Sequence, residues 1–217
     1  QITANNANKY SCRVDNFMGD CVFLENASPF DDKKLRYSMD TQERIMLIIF
    51  TLTDIFREIH LLKTGHHTMD KTGRVKDLIN TAKIDLSFRA GMEMGTALSG
   101  PLGSLKRKIV TAIGKSVNTA SRLESSGLKN GIHMRGTIMD ILKDAYITSD
   151  PRTIWQSIGK IKNMEELGNP GNLRFFDCYK KVFGLEENLI TQRTNVSYKE
   201  FSEDITYWIK CIPDSKV

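Results

Sequence analysis

Between residues 42 and 63 apolar side chains recur at intervals of three and four: Ile45, Ile48, Ile49, Leu52, Ile55, Phe56 and Ile59. That spacing sets them along one stripe of an α-helix, a face suited to packing on a sheet. Asp40 or Thr41 stands where a cap for its first turn belongs. Elsewhere the period changes. Residues 10–24 read as two strands, the first holding Cys12, Val14 and Phe17 and the second running from Cys21 to Leu24, joined at Met18-Gly19-Asp20. Residues 88–94 carry apolar side chains at alternate positions, and residues 108–113 are rich in β-branched types, so both are expected strands. Ser99-Gly100-Pro101-Leu102-Gly103-Ser104, between them, is dense in turn formers. After Gly114 the pattern predicts a helix capped by Ser116 and stopped at Ser125-Ser126-Gly127.

The remaining pattern is shorter-ranged. A helical turn is expected over 75–82, a strand over 131–134, and a helix over 136–145 with Ile138, Ile141 and Leu142 inward. Strands are expected over 154–161 and 173–182, separated by the turn Gly168-Asn169-Pro170-Gly171-Asn172. The tail reads as helical over 197–211, with Phe201, Ile205, Trp208 and Ile209 as a docking stripe. The order strand-strand, long helix, strand-strand, helix predicts an α+β fold, an antiparallel-rich sheet with helices packed on it. A strand and a helix ahead of Gln1 would complete the β-α-β-β-α-β order of a ferredoxin-like domain, so this chain is expected to lack the first strand and helix. The expected division is a domain over 1–182, N-terminally incomplete, and a C-terminal helical extension over 183–217.

Composition narrows the partners. The 217 residues, 40% hydrophobic and 26% charged, suit a globular domain able to bury a core. A formal charge of +5 permits a polyanionic partner such as a nucleoside triphosphate. The dense basic cluster Lys106-Arg107-Lys108 reads as a solvated loop, and no aromatic-glycine pattern of RNA-binding domains is present, so no nucleic acid is expected. Cys12, Cys21, Cys178 and Cys211 form no C-x-x-C pair; free thiols in a reducing compartment are expected, with a disulfide left open by the even number. The longest apolar run, 45–56, is interrupted by Thr51, Thr53 and Asp54 and is too short to span a bilayer, and residues 1–10 carry no secretory signal. A cytoplasmic location is expected, with an upstream sensor or membrane domain left open.

Three groups of residues invite chemistry. Asn118 and Arg122 lie four apart, on one face of the expected helix. An amide donates and accepts, and a guanidinium offers a fixed fork suited to phosphate. Spacing alone favours an ordinary solvent-facing pair; a ligand-binding face is the alternative. Asp20 follows Gly19 at a hairpin tip, most simply as a turn-forming acid. His66, His67 and Asp70 occupy a polar loop, where adjacent histidines do not converge on one metal ion without a third partner supplied by the fold.

The run RAGMEMGTALSGPLG…AIGKSVNTASRLESSG resembles the catalytic domain of class III adenylate and guanylate cyclases. The matching positions are Arg89, Gly91, Met92, Gly95, Gly114, Val117, Asn118, Ala120, Arg122, Leu123 and Glu124, and DNFMGDCVFLEN resembles the family's hairpin carrying a Gly-Asp pair, here Gly19 and Asp20. The resemblance covers Tyr10 to Leu142, with an extension to Tyr179 left open. It implies a head-to-tail pair of domains, here a homodimer, converting ATP or GTP to the 3′,5′-cyclic nucleotide and pyrophosphate with two Mg²⁺ or Mn²⁺ ions. It implies Asp20 as a metal ligand, Asn118 orienting the ribose, Arg122 stabilising charge on the reacting phosphate, and Thr111 and Asn16 at base-recognising positions.

Two departures stand out. The family's first metal aspartate lies upstream of the hairpin, where this chain has too little sequence to hold it. Asn16 replaces the lysine of adenylate cyclases or the glutamate of guanylate cyclases, and Asp15 is expected to face the opposite side of the strand. The triphosphate lysine has only Lys160 and Lys162 as candidates. The expected function is thus a nucleotide cyclase; the alternative is a degenerate cyclase-like module for nucleotide binding, dimerisation or regulation.

Overall fold

A computed structural model describes residues 1–10, 12–18, 20–26, 40–68, 70–84, 86–104, 107–147, 173–185, 189–198 and 201–212. Its elements in chain order are α1 (Ile2–Lys9), β1 (Arg13–Met18), β2 (Cys21–Glu25), α2 (Thr41–Thr64), α3 (Arg74–Thr81), β3 (Arg89–Met92), β4 (Leu98–Ser104) and β5 (Arg107–Ile113). There follow α4 (Lys115–Ser126), β6 (Gly131–Arg135), α5 (Gly136–Lys143), α6 (Phe175–Phe183), β7 (Ile190–Tyr198) and β8 (Phe201–Lys210).

The long helix α2 begins as its sequence requires. The Asp40 carboxylate accepts from the Glu43 N–H at 2.7 Å, and the Glu43 carboxylate accepts from the Asp40 N–H at 3.3 Å, a reciprocal capping box. Its stripe is the centre of the core. Phe50 is fully buried, and its ring lies 5.2 to 6.1 Å from those of Tyr10, Phe175, Tyr179 and Phe183. Thr51 and Thr53 interrupt the apolar stripe without cost, because each hydroxyl donates to a carbonyl one turn back, at 2.7 Å. No helix among the described residues is long and apolar enough to cross a membrane.

Pairing is divided among three ladders. β3-β6-β8-β7 form a four-stranded sheet in which β3 and β6 run parallel and the other neighbours antiparallel; β1 pairs with β2 and β4 with β5, both antiparallel. The α+β, antiparallel-rich reading holds.

Four local expectations need correction. The tail is not a helical extension: Ile190–Tyr198 and Phe201–Lys210 form β7 and β8. Strand β6 is buried from Gly131 to Met134, so its backbone groups need partners on both edges. β3 meets one edge and β8 the other, and the dense β-branched and aromatic content of 196–209 suits that position. The closing strand expected over 173–182 is instead α6, whose buried Phe175, Cys178, Tyr179 and Phe183 recur at helical spacing against Phe50. The stretch 99–104 is no turn but a strand, in register with β5 from Leu98↔Ile113 to Ser104↔Arg107; a strand of a two-stranded ladder tolerates Pro101 on its open edge. Finally, α4 starts from Gly114, and Ser116 donates to the Thr96 carbonyl at 3.2 Å rather than capping the helix. The expected strand over 154–161, the turn over 168–172, Lys160, Lys162, Lys106 and Gly19 lie outside the described residues.

Candidate functional site

The helix bearing Asn118 and Arg122 lies against the sheet with almost no gap. A Cβ placed on Gly91 of β3 would sit 1.9 Å from the Ala120 carbonyl oxygen and 2.2 Å from the Glu124 nitrogen, so backbone rests on backbone there. Only glycine permits that approach. Leu123 and Thr119 are buried beneath the helix, and Arg89 ties its end by donating from Nε to Glu124 Oε1 at 3.2 Å. On the other face Asn118 is exposed and Arg122, one turn on, is half-buried.

The C-terminal end of α4 is held by three side chains, of which the sequence marks only Trp208, as part of the expected docking stripe. Arg193 of β7 donates to the Ser126 carbonyl at 2.6 Å. Trp208 of β8 donates to the Leu128 carbonyl at 3.2 Å. His133 of β6 meets the Leu123 carbonyl through Nδ1 at 2.8 Å and the Thr206 hydroxyl through Nε2, also at 2.8 Å. A carbonyl only accepts, so Nδ1 carries a proton, and in the neutral ring that burial favours Nε2 accepts from Thr206.

That neutral ring has a consequence for stability. Burial pushes the His133 pKa down most, the Leu123 carbonyl pulls it back, and the Arg193 charge lowers it again. His60 is lowered too, by burial and by Lys63. In the unfolded chain such rings take up their proton near pH ~6.5. Below that value the unfolded state holds more protons than the folded state, so stability is full above it and falls as pH drops toward the folded-state pKa. The urea midpoint is therefore expected to be lower at about pH 5.5 than at about pH 7.5; a midpoint that is flat or rises on acidification contradicts the buried neutral ring.

Thr111 of β5 faces β1. There the sequence expectation fails in an informative way. The β1–β2 register runs Val14↔Leu24 and then Asn16↔Phe23, so Asp15 is the extra residue of a bulge. Strict alternation breaks at that point, and Asp15, expected to face away, meets Thr111: the Thr111 hydroxyl donates to Asp15 Oδ2. The Asp15 side chain is wholly buried, and its Oδ1 accepts from Arg13 at 2.6 Å. Arg13 in turn reaches Glu25 at 3.4 Å and the Val110 carbonyl at 3.4 Å. Asn16 is half-buried on the same strand.

Asp20 is exposed at the hairpin tip. The neighbouring Cys21 thiol has its pKa raised by burial and then by the charges of Glu124 and Asp20. An exposed carboxylate is the hard oxygen donor that Mg²⁺ or Mn²⁺ takes. Among the described residues, however, no group of three or more His, Cys, Asp or Glu is arranged to hold a metal ion. His67 instead meets Glu58 at 3.5 Å, and Asp70 accepts from the N–H groups of Val75 and Lys76 at 3.1 Å each, fixing the start of α3.

Comparison with known proteins bears on this arrangement. The family model described as the adenylate and guanylate cyclase catalytic domain matches residues 46–169. "Guanylate cyclase beta" of Plasmodium falciparum (isolate 3D7) is 30% identical over 126 residues, 57% of this chain. The protein of that name from Plasmodium berghei (strain Anka) is 38% identical over 72 residues, 33% of this chain. The chain spans only 4% and 2% of the lengths of these curated relatives. Among solved structures, the adenylyl cyclase CyaB from P. aeruginosa superposes with a TM-score of 0.57 at 17% identity, covering 99% of this chain and 78% of that one. The catalytic core of a rhodopsin-guanylyl cyclase with converted specificity, in complex with ATPalphaS, gives 0.55 at 16% identity, covering 96% and 76%. At these identities the structural likeness is one of fold.

Proposed function

Because the chain belongs to the family of adenylate and guanylate cyclase catalytic domains, we propose that it converts ATP or GTP to the 3′,5′-cyclic nucleotide and pyrophosphate, at a site formed where two such domains pair as a homodimer. The observation that carries this reading is α4, held on Gly91 with Asn118 and Arg122 one turn apart.

In the reaction the ribose 3′-oxygen of the substrate bonds to the α-phosphorus, the bond to the bridging oxygen of the β-phosphate breaks, and pyrophosphate leaves. The 3′-hydroxyl proton goes to solvent or to a base on the substrate. Little covalent work falls to the protein, so catalysis is positioning and charge stabilisation. Arg122 presents its fork to the phosphoryl oxygens, where negative charge redistributes in the transition state. Its half-buried position strengthens that interaction relative to one in bulk water. Asn118, one turn nearer the helix start, holds the ribose so that its 3′-oxygen lines up with the phosphorus. Thr111, with Asn16 nearby on β1, meets the purine.

Family members use Mg²⁺ or Mn²⁺, and Asp20 is the residue of this chain proposed to hold one. The described residues provide that carboxylate without the others a two-ion centre needs, so no step is derived through metal.

Incubation of the dimeric protein with ATP and with GTP, each with Mn²⁺, is expected to yield cyclic nucleotide. Nucleotide binding with no product from a confirmed dimer would favour the second reading, a cyclase-like module for nucleotide binding or dimerisation. The substitution of Asn16 at a selector position is the observation that keeps that reading in view.

A further inference from the structure

We propose that Asp15 sets the purine preference of the site, by locking the Thr111 hydroxyl as an acceptor toward the 6-amino group of adenine. The inference rests on the nucleotide-cyclase reading and on Thr111 meeting the base.

The bulge in β1 brings Asp15 onto Thr111 of β5. Ion-paired with Arg13 at 2.6 Å, Asp15 is a carboxylate, and a carboxylate accepts hydrogen bonds but gives none. Thr111 has a single O–H, and that hydrogen is spent on Asp15. What Oγ1 has left is lone pairs. The lock is braced on three strands, since Arg13 of β1 also reaches Glu25 of β2 and the Val110 carbonyl of β5. The Asp15 side chain is wholly buried and does not meet a ligand, so it acts as a positioning group through Thr111.

The two purines differ in sign at carbon 6. Adenine carries an amino group there, a donor; guanine carries a carbonyl oxygen, an acceptor. A Thr111 oxygen restricted to accepting pairs with the adenine amino group and faces the guanine carbonyl lone pair to lone pair. A site left with such a mismatch discriminates because a buried polar group goes unpaired. An unlocked threonine would serve either base by rotating its hydroxyl.

The test is equilibrium binding of 3′-deoxy-ATP and of 3′-deoxy-GTP, which keep the purine but lack the attacking hydroxyl, each with Mg²⁺, by titration calorimetry on the dimeric protein, so that turnover is not the readout. The wild type is expected to bind the adenine nucleotide about tenfold more tightly, the ratio one well-placed hydrogen bond provides. Asp15→Asn supplies an amide that donates to Thr111 and frees its hydroxyl hydrogen, and the ratio should fall by about tenfold or reverse. Thr111→Val should abolish the discrimination and Thr111→Ser should keep it. Should Asp15→Asn fail to fold by circular dichroism, having unbalanced Arg13, the double variant Arg13→Ala/Asp15→Ala, which removes both charges and likewise frees the Thr111 hydroxyl, takes its place; either protein keeping the wild-type ratio overturns the lock. A wild type that prefers the guanine nucleotide or binds both equally, or a Thr111→Val protein that keeps the adenine preference, overturns the lock and leaves the cyclase reading standing. A wild type that binds neither nucleotide overturns both.

Discussion

Arg122→Ala is expected to lower cyclic nucleotide formation by about 10²–10³-fold, the cost of removing one preorganised donor aimed at developing charge. The same substitution should leave the fold intact. Arg122 is half-buried on the face of α4 away from Gly91, while Leu123 and Thr119 supply the buried contacts of that helix. The loss should therefore appear in kcat more than in nucleotide affinity, because the interaction strengthens as charge redistributes on the phosphoryl group. Arg122→Lys should recover little: an ammonium keeps the charge but not the planar fork. Steady-state kinetics with unfolding curves on the same preparations check the prediction. Equal losses of kcat and stability would point to a structural arginine.

Gly91→Ala is expected to cost about 3 kcal/mol of stability and to depress turnover as well. The methyl group would meet the Ala120 carbonyl oxygen and the Glu124 nitrogen, both backbone atoms of α4, which cannot rotate aside as a side chain can. The helix itself must shift, and it carries Asn118 and Arg122. A displacement near 1 Å at a catalytic group costs on the order of 10²-fold in rate. Gly100→Ala is the control, since a Cβ at Gly100 meets no atom within 4 Å. Urea unfolding and product assays on both variants test this. A Gly91→Ala protein as stable as the Gly100→Ala protein would mean that α4 is not seated on β3 as described.

The sequence could be read in proportion to how local each feature is. The α2 stripe repeats over many turns and carries its capping box in adjacent residues, so its period and start were both legible. The segment from β3 to α4 was legible as a motif, but the reason for Gly91 was not: it lies in a helix backbone some thirty residues later in the chain. Short segments misled. Residues 175–183 and 201–210 are each dense in aromatic and β-branched residues, and a run of that length fits a helix or a strand equally until its neighbours are known. Phe50 decides the first by offering a pocket to a helical stripe, and the open edge of β6 decides the second.

The contact between Asp15 and Thr111 was the hardest to read. Alternation along β1 puts Asp15 and Asn16 on opposite faces, and a bulge is a property of two strands together, since it depends on where β2 places one residue against two. Arg193 and His133 were missed for a similar reason. They hold the end of α4 from β7 and β6, and nothing in their own neighbourhoods marks them.

In the proposed function α4 recognises phosphate and ribose and the hairpin tip recognises metal, each copy of the chain lending one half to a shared site. Mixing two inactive variants tests this most directly. Asp20→Ala and Arg122→Ala should each be inactive as homodimers. In an equimolar mixture allowed to exchange subunits, half the dimers are mixed, and each mixed dimer holds one site with Asp20 and Arg122 both intact, so activity should return to about one quarter of wild type. A mixture no more active than its separate components, with exchange confirmed, would contradict a site shared between copies.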